Sequence, residues 1–288
     1  GKIALEEAYE LAGNPDKDRE TAALYIAPND LDRYLRQIKD INGERLELSK
    51  KHGIGYTVIS HTVPGVQGIH DKAKAEARAT EVNDWAYSQI KDHREHLGAF
   101  AALSMHDPAQ AAKELRRCVS ELGFHGALLN DFQHAGPDGE NYLYYDQTNY
   151  DVFWETCTEL DVPVYIHPAA PQGVLYDKLY AQRPYLIGPP LSFANAVSLH
   201  LLGLISNGVF DRHPNLKVIV GHLGEHIPYD FWRINHWFED VEKPLAADQG
   251  KYVWKKTIYD YFKQNIYLTS SGHFSTPTVK YLVDYIGT

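Results

Sequence analysis

Cysteine is nearly absent: Cys118 and Cys157 are the two in 288 residues, each inside an amphipathic run. Their scarcity excludes a disulfide framework and a paired-cysteine metal site, and both read as buried thiols. Basic residues are outnumbered, 28 against 38 acidic, for a formal charge of -10. A field of that sign repels polyanions, so nucleic acid is excluded as a partner, whereas a small acid can still be held at a local positive site. No uninterrupted apolar stretch approaches the roughly 18 residues of a membrane helix. Gly1 to Tyr9 also lacks the basic and apolar blocks of a signal peptide. The expectation is a cytoplasmic protein with no membrane partner. Nor does a GxGxxG follow the first apolar run, which argues against a dinucleotide-binding open sheet.

What is present is 44% apolar residues, enough for one large core, arranged in a recurring unit. A short run rich in Val, Ile, Leu or Ala leads into a polar or Gly/Pro loop and then a segment of helical period. Strands are expected at Ile3 to Ala8, Tyr56 to His61, Gly98 to Ser104, Gly126 to Asn130, Val162 to His167, Lys217 to His222 and Ile266 to Ser270. Between them, helical spacing covers Arg33 to His52, Lys72 to His96, Asp107 to Gly123 and Phe193 to Phe210, and Thr276 to Ile286 closes the chain. Asp107 with Pro108 marks a helix start and Gly123 a stop. Seven such units predict an α/β fold, a (β/α)8 TIM-like barrel as a single domain over residues 1–288, with the eighth strand missing at the C-terminus. Segments 131–147 and 168–190 are too long for plain connectors and read as loops that shape a pocket.

A parallel barrel gathers the residues at the carboxyl ends of its strands into one spatial set. Those ends are polar here: Glu6, His61, Asn130, His167 and His222. In Ala4-Leu5-Glu6-Glu7-Ala8, period two places Glu6 and Glu7 on opposite faces, so one carboxylate points inward. An inward carboxylate is costly unless it is paired or bound to a cation; the competing reading is a strand end with both carboxylates hydrated. His167, closing Val162-Pro163-Val164-Tyr165-Ile166, is either a metal ligand or a hydrogen-bonded core histidine. His222 lies in Gly221-His222-Leu223-Gly224-Glu225, where Glu225 can fix the imidazole tautomer and suit it to proton transfer; the alternative for Glu225 is a helix cap. Arg233 offers either a charge for a carboxylate substrate or a surface ion pair. Tyr25, in the loop after the first strand, is a candidate for stacking on an aromatic ring. His106, His134, His200 and His236 lack strand-end placement and read as structural or surface residues.

The segments that carry a family resemblance are LYIAPN from Leu24, HGIGYTVIS from His52, FAALSMHDP from Phe100, GALLNDFQHAGPDGE from Gly126, YIHP from Tyr165, IGPPLSFANAVSLH from Ile187 and GHLGEHIP from Gly221. With the first strand, they resemble the non-oxidative hydroxybenzoate decarboxylases of the amidohydrolase superfamily, the fungal 2,3-dihydroxybenzoate and salicylate decarboxylases and γ-resorcylate decarboxylase among them. The resemblance implies a carboxy-lyase of aromatic-compound degradation. It would convert 2,3-dihydroxybenzoate or salicylate to catechol or phenol plus carbon dioxide, reversibly. It further implies that Glu6 and His167 ligate a divalent metal, that His222 and Glu225 handle protons, that no organic cofactor is needed, and that the chain forms a homodimer or homotetramer. Relatives carry a further aspartate ligand after an eighth strand, without counterpart before Thr288, so a C-terminally truncated chain is expected. Ala8, where a metal-water hydrolase commonly completes His-x-His, leaves a site poor in nitrogen and favours Mg or Mn over Zn. The alternatives are such a hydrolase, or a barrel that binds without catalysis.

Overall fold

The computed structural model describes residues 1–11 and 15–288, the side chains of residues 15–17 excepted. All seven expected strands form, in chain order. Strands β1 (Lys2–Tyr9), β2 (Ile54–His61) and β3 (Leu97–Ala99) make one parallel run. A bridge from Ala101 to Ala127 leads to β4 (Ala127–Asn130). The segment after β4 folds back as an antiparallel pair, β5 (Gln133–Ala135) with β6 (Asn141–Leu143). Strands β7 (Val164–His167), β8 (Val218–Val220) and β9 (Ile266–Leu268) then continue the parallel order from β4. The fold is the α/β barrel of this strand order, with β1 paired to β2 and β9 to β8 at its two ends.

Alternation along each strand divides the core in two. Ile59, Leu129, Val164, Ile166, Val218 and Val220 pack outward against the helices, while Val58, Phe100, Leu128, Tyr165 and Ile219 fill the lumen. The third strand is shorter than the sequence suggests. Past Phe100, whose N–H still reaches Ile59 O (2.9 Å), the chain changes partners, and Ala101 O accepts from Leu128 N (3.1 Å). The backbone of Ala102 is then taken by Asn83, whose amide accepts from Ala102 N (2.8 Å) and donates to Ala102 O (2.9 Å), ending the ladder.

Two long helical runs are interrupted. The segment expected as one helix over Arg33 to His52 is two, Leu31–Gln37 and Glu44–Lys51. The Asp40 carboxylate accepts from Gly43 N (3.0 Å) and Arg45 N (3.2 Å), so a turn forms where periodicity alone continues. Likewise Ser192–Ser206 and Val209–Arg212 are separated at Gly208, whose φ of 75° only glycine adopts without strain. The start signal at Asp107 works as read: its carboxylate accepts from Ala109 N and Gln110 N ahead of the helix Pro108–Ser120. Segment 168–190 carries three short helical turns, Gly173–Leu175, Tyr176–Tyr180 and Pro184–Leu186. Its Ala170 and Ile187 pack with Phe193, Tyr25, Tyr176 and Tyr180 into an aromatic patch. No helix among the described residues is long and apolar enough to cross a membrane.

Candidate metal centre and active site

Strand β1 holds one more residue than its partner between Ala4 and Glu7, since Ala4 pairs with Thr57 and Glu7 with Ile59. An extra residue of this kind re-aims a side chain. Here Glu6 turns inward with its side chain 12% exposed, and Glu7 turns outward to Arg45 at 3.8 Å. The question of which carboxylate faces the lumen is thereby answered for Glu6.

Two histidines from other strands converge on it. His167 Nε2, at the end of β7, stands 3.6 Å from Glu6 Oε1, and His222 Nε2, just beyond β8, stands 3.3 Å from the same oxygen. The three residues offer one ligand atom each within 4.8 Å of one another. The opposite nitrogen of His222, Nδ1, bonds Glu225 Oε1 at 2.5 Å. That pairing requires an unusual backbone: His222, Leu223 and Glu225 all have positive φ (54°, 59° and 59°). Such strain in non-glycine residues persists where the surroundings enforce it, commonly at functional sites. Two neighbouring glycines make the room, for a Cβ at Gly221 would lie 2.5 Å from Glu6 Oε2 and one at Gly272 2.9 Å from His222 Cδ2.

The electrostatics follow from the crowding. Burial alone would raise the Glu6 carboxyl, but the charge of His167 and hydrogen bonds to His167 and His222 hold it well below the usual carboxylate range. Burial alone would lower the His222 imidazole; hydrogen bonds to Glu225 and Glu6, with their charges, push it up to about 10. The centre therefore favours positive charge between its carboxylates. A carboxylate oxygen flanked by imidazole nitrogens is also a donor set for a divalent ion, so the residues fit a metal.

One partner of Glu6, and the residue that anchors it, escaped the sequence reading. Tyr165, buried in the lumen, donates its hydroxyl to Glu6 Oε2, and its oxygen lies 2.9 Å from Thr269 Oγ1. The signal was available: in Tyr165-Ile166-His167, period two places Tyr165 on the same face as His167. Burial, then the charge of Glu6, raise the Tyr165 phenol far above its usual range, so it remains a neutral donor.

The other sequence candidates are distributed around this centre. Phe193 packs edge-on to His167 (6.1 Å between ring centroids), and Tyr25 packs on Phe193 (5.7 Å), one ring further out. A cavity of about 270 Å3 beside His222 is lined by Phe193, Ala194, Glu225, His226 and His273. His61 is drawn away to Glu10, Nε2 to Oε1 3.2 Å. Arg233 is not brought to the centre within this chain. The helix Phe231–Trp237 buries Phe231, which turns Arg233 outward into a second cavity with Asp230 and Trp237, one that shares only His226 with the cavity beside His222.

A family model described as amidohydrolase matches residues 33–276. The chain belongs to the amidohydrolase family. Relatives in it that are 39% identical are decarboxylases, so the chain is a carboxy-lyase of that family. It is 39% identical to the γ-resorcylate decarboxylase of Rhizobium sp. (strain MTP-10005), over 97% of this chain and 82% of that one. Identity to the 2,3-dihydroxybenzoate decarboxylase of Aspergillus niger is 27%, over 74% of this chain and 99% of that one. Among solved structures, a 2,6-dihydroxybenzoate decarboxylase complexed with 2,6-dihydroxybenzoate superposes with a TM-score of 0.90 at 38% identity, covering all of this chain and 85% of its own. A dihydroxybenzoic acid decarboxylase from Polaromonas sp. JS666, with manganese and 2-nitroresorcinol, gives 0.89 at 38%, covering all of this chain and 83% of its own.

Proposed function

We propose that the chain decarboxylates, without oxidation, a small aromatic acid with a hydroxyl ortho to its carboxylate, at a divalent metal held by Glu6 and His167. One observation carries the reading: the two Nε2 atoms of His167 and His222 face Glu6 Oε1 at 3.6 and 3.3 Å, at the carboxyl ends of parallel strands. Manganese in a solved relative supports Mn or Mg over Zn. When bound, the ion supplies positive charge that orients the substrate's carboxylate and ortho oxygen and lowers the phenol pKa.

The rest falls to the side chains. Direct loss of carbon dioxide would leave an aryl anion, so the ring carbon bearing the carboxylate must gain a proton as that bond weakens. His222 holds this proton at Nε2, while Glu225 at Nδ1 fixes the ring's orientation and raises its basicity. The proton passes to the ring carbon to give a dienone. The bond to the carboxylate then breaks, its electron pair returns to the ring and ring oxygen, and carbon dioxide leaves. The cavity beside His222 suits a single ring, with Pro189, Phe193 and Ala194 as its apolar wall and Tyr25 packed behind Phe193.

Identity of 39% to a protein named for γ-resorcylate, against 27% to one named for 2,3-dihydroxybenzoate, supports trying 2,6-dihydroxybenzoate before 2,3-dihydroxybenzoate and salicylate. The test is carbon dioxide release from these three acids by protein stripped with a chelator and then reloaded with Mn2+. Turnover that returns with the ion and vanishes in Glu6→Gln supports the reading. Turnover indifferent to chelation, or hydrolysis of lactones and amides with no carbon dioxide, overturns it.

A further inference from the structure

We infer that Tyr165 is a positioning residue, a strut across the barrel lumen that occupies one oxygen of Glu6 and leaves the other for the metal. The inference rests on the metal reading of Glu6 and His167. A carboxylate has two equivalent oxygens and turns freely about its last bond, so a single-oxygen ligand must have its other oxygen fixed by something else. In this chain the fixing group comes from a distant strand. The Tyr165 hydroxyl donates to Glu6 Oε2, while Glu6 Oε1 alone faces the two imidazoles.

The strut is itself braced at both ends. Its ring is fully buried in the lumen, in the cluster of Val58, Phe100, Leu128 and Ile219, with Phe100 at 6.1 Å between centroids. Its oxygen lies 2.9 Å from Thr269 Oγ1, and Thr269 is pinned through its backbone: Thr269 N donates to Val220 O (3.0 Å) and Thr269 O accepts from Leu223 N (2.8 Å). The same threonine therefore ties the phenol to the end of β8 and to the strained turn that presents His222. Gly221 reserves the space, because a Cβ there would stand 2.5 Å from Glu6 Oε2 and 2.7 Å from the Tyr165 hydroxyl. Val58, Phe100, Leu128 and Ile219, which share the cluster, have apolar side chains, so the hydroxyl that reaches Glu6 Oε2 from it is that of Tyr165. A phenylalanine would fill the same volume, so the hydroxyl's role lies in the carboxylate and not in packing.

The test is Mn2+ affinity by titration calorimetry together with the electron paramagnetic resonance spectrum of the bound ion, for wild type, Tyr165→Phe, Thr269→Val, Thr269→Ser and Glu6→Ala. Tyr165→Phe is expected to weaken Mn2+ binding by roughly 10-fold to 100-fold, in the range for an outer partner of a ligand, and to change the spectrum as Glu6 gains freedom. Thr269→Val should shift both in the same direction by less, and Thr269→Ser should restore them. Wild-type affinity and spectrum in Tyr165→Phe overturn the inference while leaving the metal reading intact. Should Tyr165→Phe not fold, as judged by near-ultraviolet circular dichroism, wild-type behaviour in Thr269→Val overturns it instead. Equal, weak binding by wild type and Glu6→Ala overturns the metal reading and the strut with it.

Discussion

Two imidazole–carboxylate pairs in the same barrel differ in how far they are sealed. His200 and Asp131 are sealed, with side chains 0% and 1% exposed. Nδ1 of His200 donates to Asp131 Oδ1 at 3.0 Å and Nε2 accepts from Tyr145 N at 3.3 Å, so both ring nitrogens are spent and one tautomer is fixed. Asp131 also takes the Tyr145 hydroxyl on its backbone carbonyl at 2.6 Å, which anchors the segment after β4. In His222 and Glu225 only Nδ1 is spent in that way; Nε2 faces Glu6 and the cavity beside it. Identical chemical groups thus serve as a tie in one place and as a proton-holding centre in the other. The deciding difference is whether the second ring nitrogen has a backbone partner or looks into space that a ligand can enter.

That contrast can be broken at several points. The largest effect is expected from Glu6→Gln, which removes the charged oxygen both histidines share. Decarboxylation should fall on the order of 10,000-fold, with loss of bound Mn2+ measured in the same samples. Next, His222→Ala should lower kcat per folded molecule by about 100-fold to 1,000-fold, and in chelator-stripped protein it should also lower the melting temperature, since Glu6 and Glu225 lose a shared partner. His200→Ala should leave kcat per folded molecule near wild type while costing about 2–3 kcal/mol of stability by denaturant unfolding, because Asp131 loses its buried partner. An exchange of those two outcomes would sink the comparison.

A smaller effect separates the pairs by pH. His222 is pushed up to about 10 from an ordinary 6.5, so the stability it contributes is complete below pH 6.5 and is lost as pH rises through 10. Glu6 is depressed below its ordinary 4.5, so its share is complete above pH 4.5 and is lost only on stronger acidification. Chelator-stripped protein should therefore melt at progressively lower temperature from pH 7 to pH 10, and Glu225→Gln should flatten that slope; superimposable profiles would count against the His222 arrangement. The smallest effect belongs to the outer wall of the open pair. Tyr25→Leu should raise KM about threefold to tenfold with kcat and metal content unchanged, as expected for loss of one aromatic contact beyond Phe193.

Much of this was readable along the chain. Seven strands followed from runs of β-branched and aliphatic residues, and the helix at Pro108–Ser120 followed from Asp107 and Pro108. His167 and His222 stand out because each closes such a run, whereas His200 sits inside a helical segment and reads as a structural or surface residue. Less legible were breaks made by single side chains. Asp40 splits a helix, and Asn83 ends a strand by occupying the backbone of Ala102, a residue 19 positions away. Arg233 illustrates the same limit: its proximity to Glu225 in sequence says nothing about which way the helix Phe231–Trp237 turns it.

By itself the sequence determined the repeating strand and helix order, the polar residues at the strand ends, and the family that combination belongs to. Those depend on periods of two and 3.6 residues and on local motifs, which are properties of neighbours along the chain. Only the tertiary structure decided that Glu6 rather than Glu7 faces inward, that His222 joins His167 around one oxygen, and that Tyr165 holds the other. Tyr165 and Glu6 are 159 residues apart, and the curling of the strands around one lumen is what makes them neighbours.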